Sequence, residues 1–128
     1  MTTETYEKGL EMRRKVLSSE HVERSLAAAD DFTRPMQELV TEFCWGAVWS
    51  RDGLSPRDRS LVNLGMIAAL GRNKELALHT RGALRNGVTE TEIQEVLLQI
   101  AVYCGFPAGL DSMNTAKAAI AAWREETA

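Results

Sequence analysis

The chain has 128 residues, 45% hydrophobic and 26% charged, which fits one globular domain with a real core and excludes extensive disorder. The net charge is −3 with both signs mixed along the chain, so the basic patch that a nucleic-acid partner calls for is missing. No apolar run approaches the roughly 18 residues that span a membrane, and MTTETYEKGLEMRRK lacks a signal-peptide core, so a cytoplasmic protein with no nucleic acid and no membrane partner is expected.

The apolar spacing is helical nearly throughout, without strand-like alternation of useful length or internal repeats. Residues 4–17 read as a first helix with Tyr6, Leu10 and Leu17 on one side. Arg13-Arg14-Lys15 reads as its solvated basic face. Residues 20–29 make a short second helix. The third covers 33–49, where Met36, Leu39, Val40, Phe43, Cys44, Ala47 and Val48 recur at i, i+3, i+4, i+7 and predict a core-facing stripe. Ser55 as N-cap and Pro56 at the first position open a fourth helix that Gly71 closes. Its LVNLGMIAALG segment is apolar nearly all round, which predicts a central position.

The fifth helix runs from 73 to 86 with Gly87 as a left-handed cap. Thr89 starts the sixth, and Glu92 three residues on completes a capping box. Ile93, Val96, Leu97, Ile100 and Cys104 form its stripe, and Gly105 ends it. Phe106-Pro107 opens the last helix, with Met113, Ala116, Ile120 and Trp123 on one side. The pattern predicts one all-α domain over residues 1–128, with six or seven helices. Cys44 and Cys104 lie too far apart in sequence for a CxxC or metal motif and read as buried thiols. Trp45 and Trp49 sit opposite the third helix's stripe, and Leu98 and Val102 lie off the sixth helix's stripe. That surplus of apolar surface predicts a subunit interface, with helices wrapping both sides of one domain as the alternative.

ELALHTRGALRNG, residues 75–87, carries one of two histidines. At 100° per residue, Leu76, Ala77, Thr80, Ala83 and Leu84 form the inward arc of this helix, and His79 sits at its edge. Glu75 lies one turn before and Gly82 three residues after, both helix-surface neighbours. Glu75 can orient the ring and favour its protonated form, and the small Gly82 and Ala83 leave space beside it. The arrangement suits a general acid or base at a cleft. The alternative is a plain Glu–His surface pair worth about 0.2–0.5 kcal/mol. A metal is not expected, since His21 is the other histidine and nothing stands at ligand spacing from His79.

WGAVWSRDGLSPRDRS followed by ALGRNKELALHTRGALRNGVTETEIQEVLLQIAVYCGFPA resembles the carboxymuconolactone decarboxylase family over roughly residues 20–110. The specific parts are Trp-Gly-x-x-Trp-x-Arg-x-Gly-Leu, Glu-Leu-x-x-His, Asn-Gly-Val-Thr and Tyr-Cys-Gly-x-Pro-Ala, in that order. The resemblance implies the all-helical alkylhydroperoxidase D-like fold and a homo-oligomer, trimer or hexamer. It also implies decarboxylation of γ-carboxymuconolactone to β-ketoadipate enol-lactone in protocatechuate breakdown, with no cofactor and no metal. His79 becomes the candidate proton donor with Glu75 orienting it, Arg51 and Arg59 the candidates for substrate carboxylates, and Trp45 and Trp49 the walls that exclude water. Ordinary surface ion pairing is the alternative for each arginine.

Two departures matter. The peroxidase branch has a Cys-x-x-Cys before the family histidine. Arg72 and Glu75 stand in those positions here, so thiol peroxidase chemistry is not expected. The decarboxylases tend to carry an acid where Ala47 stands, a position the periodicity turns inward. The alternatives left open are a different small lactone or cyclic keto acid as substrate, or a non-catalytic oligomeric scaffold.

Overall fold

The computed structural model describes residues 3–128, which form seven α-helices and one π-helical stretch, with no strand among the described residues. The chain divides into two compact units, Met1–Pro56 and Arg57–Ala128.

The first unit holds α1 (Glu4–Leu17), α2 (Ser19–Ala27), α3 (Arg34–Leu39) and the π-helix (Val40–Trp49) that continues α3. The Thr3 hydroxyl caps α1 by accepting from the Tyr6 amide at 2.9 Å. Ser18 ends α1 at φ 82° and caps α2 by accepting from the His21 amide. The dominant packing is α1 against the π-helix. Gly9 and Gly46 allow the two backbones to touch: a Cβ on Gly9 would overlap the Thr41 carbonyl oxygen, and one on Gly46 the Thr5 carbonyl oxygen.

This packing reverses the face expected of residues 33–49. Thr41, Trp45, Gly46 and Trp49 are buried, while Met36, Leu39, Phe43, Cys44, Ala47 and Val48 are exposed. The π winding places more residues in each turn than the 3.6 that the periodicity assumes, so the register shifts. The Trp45 carbonyl accepts from the Ser50 hydroxyl five residues on. The basic triplet is also corrected. Arg13 is buried and donates to the Thr41 hydroxyl at 3.1 Å, while Arg14 pairs with Glu23.

The second unit holds α4 (Pro56–Ala69), α5 (Asn73–Arg85), α6 (Glu90–Cys104) and α7 (Phe106–Thr127). Leu64 and Ala68 of α4, Leu76 and Ala83 of α5, Ile93, Leu97 and Ile100 of α6, and Ala116 of α7 form one core. Full burial of each of the large aliphatic side chains contributes about 1.5–3 kcal/mol. Gly87 at φ 92° ends α5 as expected, and Val88 donates back to the Ala83 carbonyl. The capping box is present in both directions: Glu92 N–H donates to the Thr89 hydroxyl and Thr89 N–H to the Glu92 carboxylate. Gly105 at φ 108° turns the chain into α7, and Gly109 lets α7 approach Ala101 of α6.

α4 is not central. It buries Ser60, Leu64 and Ala68 and exposes Val62 and Met66, and Leu70 just past its end is exposed as well. An all-round apolar helix has a second face that this unit leaves uncovered. Cys44 and Cys104 are exposed free thiols rather than buried ones. Leu98 and Val102 are exposed, so the surplus read on α6 is present.

Candidate active site

α5 presents His79 because its inward arc is Leu76, Thr80 and Ala83, all fully buried, and His79 sits beside them at 9% exposure. The ring is therefore inside the unit rather than on its rim. Its Nδ1 lies 3.1 Å from Nδ2 of Asn63 on α4. A second polar tie joins the ends of the same two helices, with Asn86 Nδ2 donating to the Ser60 hydroxyl at 3.0 Å. Two such ties between buried or half-buried groups hold α4 and α5 in one register, since each lost bond would strand a desolvated polar atom.

Glu75, the residue expected to orient the ring, is exposed, and Asn63 faces the ring at Nδ1. Arg59 is half-buried on α4, one turn before Asn63 and on the same side of that helix. Gly82 is buried on α5. The structure thus brings together His79 and Asn63, with Arg59 and Glu75 each one turn away on the two helices.

The remaining predicted residues belong to the first unit. Trp45 and Trp49 are buried and stacked, with ring centroids 4.7 Å apart and planes inclined by 29°. Arg51 is exposed in the loop after the π-helix, its amide donating to the Val48 carbonyl. Ala47, read as inward-facing, is on the exposed face. Cys44 is exposed as a residue, yet neighbours desolvate its thiol enough to push its pKa up, against the weaker pull of Arg13. That does not describe a reactive thiolate.

Two grooves open on the second unit. One of about 390 Å³ between α4 and α6 is lined by Val62, Gly65, Ala69, Val96, Ile100 and Tyr103 among others. The other, about 440 Å³ between α6 and α7, has an apolar floor with Glu90, Lys117 and Arg124 among its polar lining. Neither includes His79.

Sequence reasoning missed Asn63, although a signal for it exists. It is the one amide in the apolar run LVNLGMIAALG, and a polar group in such a run must find a partner.

Comparison with known proteins gives a consistent picture. The Carboxymuconolactone decarboxylase family profile matches residues 34–118. The chain is 52% identical over 108 residues to nitrosuccinic acid decarboxylase npaB of Metarhizium robertsii, covering 84% of this chain and 76% of that protein. It is 44% identical over 112 residues to 4-carboxymuconolactone decarboxylase of Acinetobacter baylyi, covering 88% of this chain and 84% of that one. A third relative, an uncharacterized 15.0 kDa protein of Paracoccus denitrificans, is 31% identical over 102 residues, covering 73% of this chain and 76% of that protein.

Proposed function

Because the chain belongs to the carboxymuconolactone decarboxylase family and is a carboxy-lyase, we propose that it removes carbon dioxide from a small dicarboxylic acid. In that substrate the electrons of the broken bond come to rest on a conjugated oxygen. The first choice is γ-carboxymuconolactone, converted to β-ketoadipate enol-lactone in protocatechuate catabolism without a cofactor. The reading is carried by a buried, hydrogen-bonded His79 in a chain whose two named relatives are both decarboxylases.

The chemistry has two demands. Loss of the carboxylate γ to a lactone carbonyl sends electrons through the ring double bond onto the carbonyl oxygen, leaving a dienolate. Donors preorganised at that oxygen lower the barrier. A proton must then reach carbon, which is general acid work. His79 is proposed for the proton, with the Glu75 carboxylate favouring its return to the ring through its field. Arg59 and Arg51 are proposed for substrate carboxylates, which a guanidinium binds in a bidentate way. The Trp45–Trp49 stack is proposed as an apolar wall that keeps water from the carbanion.

Nitrosuccinic acid, which the 52% identical relative acts on by its name, favours a second reading. Loss of a carboxyl next to a nitro group leaves a nitronate, again a charge on oxygen followed by a proton to carbon. Another small lactone or cyclic keto acid would satisfy the same demands. A non-catalytic scaffold is the reading that total inactivity would leave. We further propose a homo-oligomer, trimer or hexamer, because each unit exposes an apolar helix face.

The test is carbon dioxide release from γ-carboxymuconolactone and from nitrosuccinic acid in parallel. Turnover of the lactone alone supports the first choice, and turnover of the nitro acid alone replaces it with the second. His79→Ala is expected to fold normally by circular dichroism and to lose about 10²–10⁴ in turnover. Unaltered turnover in that variant would remove His79 from the reaction.

A further inference from the structure

We infer that Asn63 is a positioning residue that keeps the His79 ring in place through all of its protonation forms, so that the ring gives up and regains a proton without moving. The Asn63 carboxamide meets Nδ1 of His79, with Nδ2 3.1 Å away, and the ring is buried. A half-turn about χ2 exchanges the N–H of the amide for its oxygen at that point. The ring has three forms. The imidazolium and the neutral ring protonated on Nδ1 both donate from Nδ1, and the amide oxygen accepts. The neutral ring protonated on Nε2 accepts at Nδ1, and the amide N–H donates. An amide answers every form from one place, and no tautomer has to be fixed.

Other side chains answer fewer. A carboxylate only accepts, and its charge favours the imidazolium. An apolar side chain withdraws the partner from Nδ1, which costs most when the buried ring is charged. The Ser60–Asn86 tie steadies the same two helices beside the pair. The charged groups nearest in position are Arg59, one turn before Asn63 on α4, and Glu75, one turn before His79 on α5. On α7, which packs on α5, Glu126 is engaged with Arg81, and Trp123 lies under Arg85. The α6 side chains of the same core, Ile93, Leu97 and Ile100, carry no charge.

The functional consequence rests on the reading of His79 as proton donor. In that reading the imidazolium gives its Nε2 proton to the carbon that has lost carbon dioxide. The electron pair returning from oxygen forms the new C–H bond. The neutral ring left behind carries its proton on Nδ1 and keeps the amide oxygen as acceptor. Water restores the Nε2 proton before the next turnover. A neutral partner leaves the ring able to act as an acid, where a carboxylate would hold the proton back.

The experiment uses the full chain labelled with ¹⁵N. Long-range ¹H–¹⁵N correlation follows the imidazoles, and only His21 and His79 contribute, so His79→Gln assigns them. The side-chain amide signals of Asn63, assigned by their loss in Asn63→Asp, are expected to move in the wild type with the midpoint of the His79 titration. Asn63→Asp is expected to raise that midpoint by about one pH unit, and Asn63→Leu to lower it by about as much. On the acid that is turned over, the fall in kcat with rising pH, which marks loss of the imidazolium, is expected to move with the midpoint in each variant. Asn63 amide signals that stay still through the His79 titration overturn the inference without any variant. So does a midpoint that neither folded variant moves. Midpoints that move apart in a protein that turns over neither acid support the inference while counting against the decarboxylase reading.

Discussion

Thr41 accepts a hydrogen bond from the buried Arg13 guanidinium and donates its own to the Gln37 carbonyl at 2.7 Å. A charged donor left short of an acceptor in a buried place costs more than the net value of the bond, because its hydration is not returned. Thr41→Val keeps the shape and removes the acceptor. It is expected to lower unfolding free energy by about 1–3 kcal/mol in urea melts, and a midpoint equal to wild type would mean that Arg13 is held adequately by other groups. The same reasoning explains why Asn63 and Arg13 escaped a reading by residue type. An arginine beside two other basic residues reads as solvated, and an asparagine in an apolar run carries no chemistry of its own. Each acquires meaning from a partner 28 or 16 residues away.

Helix starts and stops were largely legible, because caps act within one turn. The Thr89–Glu92 box is the clearest case, and its carboxylate carries a testable pH dependence. Glu92 is held below the usual glutamate value of 4.5, first by the Thr89 backbone N–H and then by Arg57. A carboxylate depressed on folding adds stability above its unfolded pKa and loses it as pH falls through the folded one. Glu92→Gln keeps the box and removes the charge. Its deficit in Tm relative to wild type is expected to be full at pH 7 and to narrow as pH drops below about 4.5; a constant deficit from pH 7 to 3 would assign the effect to packing. The contact of α1 with the π-helix gives a second element-scale test. Alanine for glycine in a helix gains about 1 kcal/mol from propensity. At Gly9 the new Cβ meets backbone, so overlap wins and Gly9→Ala is expected to cost about 1–3 kcal/mol. At Gly65 nothing lies within 4 Å, so Gly65→Ala is expected to stabilise by up to about 1 kcal/mol. Thermal melts that shift both variants the same way would refute the backbone-contact argument.

At the scale of the whole molecule, the exposed side chains are as informative as the core. Phe43 and Val48 in the first unit, and Val62, Met66, Val102 and Tyr103 in the second, are half or more exposed. Scattered apolar residues on a surface need no explanation, but whole helix faces do. The proposed homo-oligomer would cover them. Phe43→Glu and Val102→Glu are each expected to shift sedimentation toward smaller species while the helical circular dichroism signal stays unchanged. A wild type that sediments as a monomer at micromolar concentration would end that proposal. No helix among the described residues is long and apolar enough to cross a membrane, so these faces are not membrane spans.

The sequence by itself determined the all-α class, the approximate helix bounds, the glycine stops at 71, 87 and 105, the capping box and the inward arc around His79. Each of these rests on interactions between residues a few positions apart, which composition and spacing encode directly. The tertiary structure decided which face of residues 40–49 is inside, where Arg13 goes and which group meets His79. Hydrophobic periodicity marks an apolar face without saying what covers it. Only the close approach of α1 at Gly9 and Gly46 turned the tryptophans inward, and only the docking of α4 on α5 put an amide at the imidazole.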